Sequence, residues 1–305
     1  MRYNVQFDII KNRNKFFLAS IIITIIGVIM LLTAGLNVGV DFKAGTTLDI
    51  NVGQSIEKSK VDQLIKDALG FDASTTNIGG TNSDRATARF DKVLRLDEVD
   101  KVSTAFKTAF GDKVTYEENT VDTELANELA EKAIYSVLIA CLGIIIYVSI
   151  RFEWRFAIAA IVALLHDAFI VISLFSIFRW EVNLPFVAAI LTIIGYSIND
   201  TIVIFDRIRE NNRFAKIKNF QDLSTMVNRS VWQTMTRSIN TIMTVFIAAV
   251  SLFIFGSEAI KYFSLAMILG LVCGGYSSVF IASPLWLIMK SKSLSGNKRI
   301  VTAKE

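Results

Sequence analysis

The chain has 305 residues, a formal net charge of +4 and a hydrophobic content of 52%, and its mean hydropathy is +0.48. A soluble domain usually holds less apolar material, so the composition points to a bilayer and away from an ordinary globular fold. The small positive charge is accounted for by loop residues and calls for no nucleic-acid partner, and Cys141 and Cys273 both fall inside apolar runs, where a disulfide framework has no role.

Apolar runs near 16–36, 134–150, 156–178, 184–205, 239–255 and 263–289 each approach or exceed the roughly 20 residues that cross hydrocarbon. They predict an α-helical polytopic membrane protein with six transmembrane helices. Residues 1–15 form a basic N-terminus with Arg2, Lys11, Arg13 and Lys15. The first span, 16–36, is longer than the roughly 7 to 15 apolar residues of a signal peptide core, so it reads as an uncleaved anchor.

Residues 37–130 turn abruptly polar and charged, which predicts a domain outside the membrane between the first and second helices. Within it, 46–52 alternates as a strand, and Val61, Leu64, Ile65, Ala68 and Leu69 recur at helical spacing. Residues 75–78 and 86–90 pair across the Gly79-Gly80 region. Leu96, Val99, Val102, Phe106 and Phe110 mark a second helix, and 113–117 closes as a strand. Strand, helix, strand, strand, helix, strand is the order of an α+β ferredoxin-like domain.

A five-helix block follows over 131–289, with a connector at about 207–236 and a basic tail over 290–305. In the connector, Ile217, Phe220, Leu223, Val227 and Val231 have helical spacing, suited to lying along the membrane surface or to a plain amphipathic link. Orientation follows from Lys and Arg in short loops. The N-terminus, Arg151 and Arg155, the stretch 207–237, and Lys290, Lys292, Lys298, Arg299 and Lys304 are basic; the opposite loops hold only Arg179 beside Glu181 and Lys261 beside Glu258. Both termini are therefore expected in the cytoplasm and the large domain outside it. A single repeat of one span, one domain and five spans reads as half of a larger transporter.

Ionisable groups in hydrocarbon cost several kcal/mol and persist where they line a path or meet a partner. Asp200 lies within the fourth span, and Thr192, Tyr196, Asn199 and Asp200 share one face of its helix. A buried acid that gains and loses a cationic neighbour can load and release a proton; the alternative is an acid that only bonds a neighbouring helix. The candidate cation is Arg237, at the start of the fifth span, whose face continues through Asn240, Thr241, Thr244, Ala248 and Ser251. By pattern alone Arg237 serves equally well as an interfacial anchor.

His166 and Asp167 sit near the middle of the third span, and His166 is the only histidine. They point about 100° apart, so they do not both face one narrow path; relay and interhelical bonding both remain open. Asp206 with Arg207 and Arg209 reads as an interfacial cluster at the end of the fourth span. Ala266, Gly270 and Gly274 set small residues every fourth position in the sixth span, a close-packing face. Gly-x-Ser-x-Gly, His-Glu-x-x-His, Walker and paired-Cys patterns are missing, so the chain is not expected to be an enzyme. With no such engine, an ion gradient is the economical source: one charge moved through 100 mV releases about 2.3 kcal/mol.

Three runs carry a resemblance: Arg151-Phe152-Glu153-Trp154-Arg155-Phe156, Ala163-Leu164-Leu165-His166-Asp167, and Ile194-Gly195-Tyr196-Ser197-Ile198-Asn199-Asp200-Thr201 with Phe205-Asp206-Arg207-Ile208-Arg209-Glu210-Asn211. Together, and from Gly39-Val40-Asp41-Phe42 to the last helix, they resemble the SecF family of protein-export membrane subunits in the RND superfamily. The resemblance implies a twelve-span unit with a SecD-like partner beside the Sec channel in the bacterial cytoplasmic membrane, using the proton-motive force and no bound cofactor to move preproteins. It implies that Asp200 and Arg237 are proton-pathway residues; Asn199, Tyr196, His166, Asp167 and Thr241 are the supporting candidates that the residue pattern itself offers. Half of a small-molecule or lipid exporter is the alternative, and a structural subunit whose polar residues merely pack helices is a further one. The chain departs from the family at Ala44-Gly45-Thr46, where the family has Gly-Gly-Thr, and Ala44 lacks glycine's freedom at positive φ.

Overall fold

The structure, a computed structural model, describes residues 7–302 except 81 and 218, with side chains to residue 292 except that of Glu258. Of the basic residues above, Arg2 and Lys304 lie outside the described residues, as do the side chains of Lys298 and Arg299.

In chain order the elements are α1 (Arg13–Thr33), β1 (Asn37–Val38), α2 (Val40–Lys43), β2 (Gly45–Asn51), α3 (Lys58–Leu69), β3 (Thr75–Gly79), β4 (Arg85–Phe90), α4 (Leu96–Phe110) and β5 (Thr115–Val121). Then follow α5 (Thr123–Arg151), α6 (Trp154–Ile177), β6 (Glu181–Val182), α7 (Leu184–Phe214), α8 (Phe220–Phe255), α9 (Glu258–Ser277), a π-helical turn (Ser278–Ala282) and α10 (Ser283–Thr302). Among the described residues six helical segments are long and apolar enough to cross a membrane: α1, α5, α6, α7, α8 and the continuous run Ala259–Lys292 of α9 to α10. The chain is a multi-pass membrane protein. The π turn lies beside Pro284, whose missing N–H displaces the helical ladder.

The soluble part is one antiparallel sheet of order β3-β4-β2-β5 with α3 and α4 on one face. Leu48 and Ile50 of β2, Val61 and Ile65 of α3, and Val99, Val102 and Phe106 of α4 fill the space between them. The closing strand runs over Thr115–Val121, later than the pattern at 113–117 suggested, because Thr120 pairs with Thr46 and their hydroxyls bond at 2.9 Å. Ala44 stands at φ 64°, ψ 155°, a backbone state that glycine occupies freely and alanine only under strain. The tight turn is thus kept despite the missing glycine.

In the membrane part, α6, α7 and the α9–α10 run make the core, with the Phe156 ring stacked on Trp286 at 4.6 Å and tilted against Phe205 at 4.9 Å. The stretch 207–236 is not a separate surface helix. Its first part extends α7 to Phe214, and from Phe220 it is the leading end of α8, with Leu223, Val227 and Val231 buried in the main core. No glycine or proline interrupts α8, so its ladder runs unbroken into the fifth span. Its apolar face packs inward, Ile9 and Ile10 are buried with it, and Asn228 Oδ1 accepts the Ile9 N–H at 3.1 Å.

Candidate functional site

Asp200 stands mid-way along α7 and is 9% exposed. On α8, Ser238 and the Arg237 guanidinium face it. The contact is incomplete: among the described residues, Asp200 Oδ2 and Ser238 Oγ are both buried and neither makes a hydrogen bond. A buried oxygen without a donor is costly by about 1–3 kcal/mol. Asp200 also lines a cavity of about 20 Å³ with Tyr196, Asn199, Ser197 and Thr241, roughly the space of one water. Arg237 lies one turn from that cavity: Thr241 Oγ1 donates to the Arg237 carbonyl at 2.9 Å.

The residues picked out in the fourth and fifth spans are therefore brought together, while His166 and Asp167 lie behind α7. Asp167 is 1% exposed and fully bonded. Ser197 Oγ and Ser277 Oγ donate to its Oδ2 at 2.5 and 2.7 Å, and His166 Nδ1 meets its Oδ1 at 3.1 Å. One turn on, Thr201 Oγ1 and Ser278 Oγ are 2.7 Å apart. His166 stacks at 6.2 Å on Tyr276, whose hydroxyl donates to the Phe16 carbonyl of α1 at 2.9 Å. Ser197 joins the two halves of the site, since it lines the small cavity and bonds Asp167.

The small-residue face of α9 makes this proximity possible. A Cβ on Gly270 would lie 2.3 Å from Ile193, and one on Gly274 would lie 3.3 Å from the Ser197 Cβ; Ala266 is fully buried. Gly275 similarly admits Ile242 of α8, with a Cβ 2.6 Å from its side chain. Sequence reasoning missed Ser197, Ser238, Ser277, Ser278 and Thr201. Hydroxyls in spans commonly bond their own helix four residues back, as Ser173 and Thr192 do here. Their only signal was adjacency to Asp200 and to the glycines of the sixth span.

Buried carboxylates between packed spanning helices make a polar site inside a multi-pass membrane protein. The family described as protein export membrane protein SecD/SecF, C-terminal, matches residues 101–292. The protein translocase subunit SecF of Alicyclobacillus acidocaldarius is 45% identical over 292 residues, 95% of this chain and 94% of that protein. The subunit SecDF of Bacillus subtilis is 47% identical over 95% of this chain and 39% of its own length. The crystal structure of SecDF, a translocon-associated membrane protein from Thermus thermophilus, superposes with a TM-score of 0.82 at 28% identity, covering 95% of this chain and 40% of that one. The chain belongs to the SecD/SecF family of protein-export membrane proteins.

Proposed function

We propose that this chain is the SecF-type half of a twelve-span export unit, in which proton passage at Asp200 and Arg237 is converted into work on a preprotein leaving the Sec channel. The observation that carries this is the open polar face of α7 and α8. Tyr196, Asn199, Arg237, Asn240 and Thr244 are exposed on one side of the six-span body, where lipid would meet charge and amide groups at the cost of several kcal/mol. A second membrane half with complementary polar groups covers such a face, and a SecD-type partner, fused to the equivalent region in the Bacillus subtilis relative, is the partner of that form.

In this reading a proton reaching Asp200 through the one-water cavity neutralises the carboxylate and frees Arg237 from its field. Release to the other side restores the attraction, and the alternation shifts α7 against α8. Asn199, Tyr196 and Thr241 hold the water, while His166 and Asp167 support α7 from behind. The termini lie in the cytoplasm, following the basic loops, and the α+β domain, which we read as ferredoxin-like, lies outside. The proton gradient across the bacterial cytoplasmic membrane is the energy source, with no cofactor and no hydrolytic step. Asp200→Asn tests this: in proteoliposomes holding the chain, its SecD-type partner and the channel, export stimulated by the gradient falls at least about tenfold while the complex still assembles. Unchanged gradient-dependent export would overturn it.

A further inference from the structure

The start of α7 is tied to the α+β domain by a compact polar joint. Strands β1 and β6 pair in parallel, Asn37 with Glu181 and Val38 with Val182, and the Gly39 N–H reaches the Val182 carbonyl at 2.8 Å. Asp41 spans the two parts directly. Its Oδ2 accepts the Leu184 N–H, the first amide of α7, at 2.8 Å, and its Oδ1 accepts from Asn119 of β5 at 3.2 Å. Arg89 of β4, 6% exposed, donates to the Val38 carbonyl at 2.7 Å and holds Glu181 at 4.0 Å and Asp91 at 3.3 Å. Gly39 admits the glutamate: a Cβ there would sit 2.5 Å from Glu181 Oε1.

We propose that this joint transmits movement of α7 to the α+β domain and that protonation of Glu181 tightens it. The coupling half of the proposal rests on the reading of Asp200 above; the proton-sensing half does not. Asp200 and Leu184 belong to one unbroken helix, so displacement of α7 at Asp200 reaches the Asp41 cap without an intervening loop. Asp41 then passes it to the edge strand β5.

Glu181 is the titrating element. Among the described residues Arg89 is the cation that opposes the acids facing it, Asp41 from α2, Asp49 from β2 and Asp91 after β4. The adjoining crevice of about 260 Å³ adds Glu117 and Glu118 of β5 and the Tyr262 ring. Burial, only partly offset by Arg89 and reinforced by Asp41, Asp49 and Asp91, raises the Glu181 carboxyl above its ordinary value. The docked joint therefore binds a proton more readily than the released, solvated one. By linkage, docking strengthens as pH falls through the window above glutamate's ordinary value and weakens as pH rises through it.

Hydrogen exchange on the chain with its SecD-type partner in lipid nanodiscs reads both halves. After correction for intrinsic rates, amides of 37–42 and 181–184 exchange about tenfold more slowly at about pH 5 than at about pH 8. Glu181→Gln, an isosteric neutral side chain, is slow at both. A pH dependence retained in Glu181→Gln, or absent from the unaltered chain, overturns the sensing. For the coupling, Asp200→Asn changes exchange of β5 in the otherwise unaltered chain and leaves it unchanged in Asp41→Ala, with α3 and α4 as folding controls. An Asp200→Asn effect that survives Asp41→Ala, or none at all, overturns the coupling. Unimpaired export in Asp200→Asn would instead remove the functional reading and leave the pH result standing.

Discussion

Helices α6 and α7 carry one buried acid each, Asp167 and Asp200, and the surroundings of the two are opposite. Asp167 is enclosed by two serine hydroxyls and a histidine that satisfy both oxygens. Asp200 has a bare oxygen, a small cavity and an exposed arginine nearby. A carboxylate with both oxygens engaged holds helices in place, because any movement breaks bonds that lipid cannot replace. One left short of donors has little to lose by moving or taking a proton. Depth in the membrane is therefore a poor guide to role, and the count of donors is a better one.

Stability measurements sharpen the contrast. Asp167→Ala strands the donors of Ser197 and Ser277 between α6, α7 and α9 and is expected to cost about 3–5 kcal/mol, read as thermal unfolding in detergent. Asp200→Asn is expected to stay within about 1 kcal/mol in the same assay while export fails. Equal losses would erase the distinction between the two acids.

Next in size is Gly270→Ala, whose methyl meets Ile193 in a tight seam; it should destabilise by about 1–3 kcal/mol and, by wedging α9 from α7, slow export. The smallest effect belongs to Thr201→Val, which removes the bond to Ser278: about 0.6 kcal/mol, with export nearly intact. A loss of export as deep as that of Asp200→Asn would join Thr201 to the Asp200 site.

The spans were legible because twenty apolar residues have few other destinations, and the buried acids because charge in hydrocarbon stands out against its neighbours. The chain order β2, α3, β3, β4, α4, β5 agrees with the strand and helix order read from alternation, since period two and period 3.6 are local properties. The small residues of the sixth span announced a close approach without naming the helix approached; Ile193 and Ser197 of α7 are what they meet.

Sequence by itself thus determined the helices, the soluble insertion, the candidate acids and the family resemblance, all set by composition and short-range periodicity. Tertiary structure alone decided that Asp167 is enclosed by donors while Asp200 keeps an oxygen without one, that serines on two helices, α7 and α9, converge on one carboxylate, and that Asp41 caps the helix carrying Asp200. Those facts depend on helix rotation and on contacts between residues as much as 143 apart in the chain. Rotation and packing partner are settled by how side chains of several helices fill shared space, which no single segment encodes.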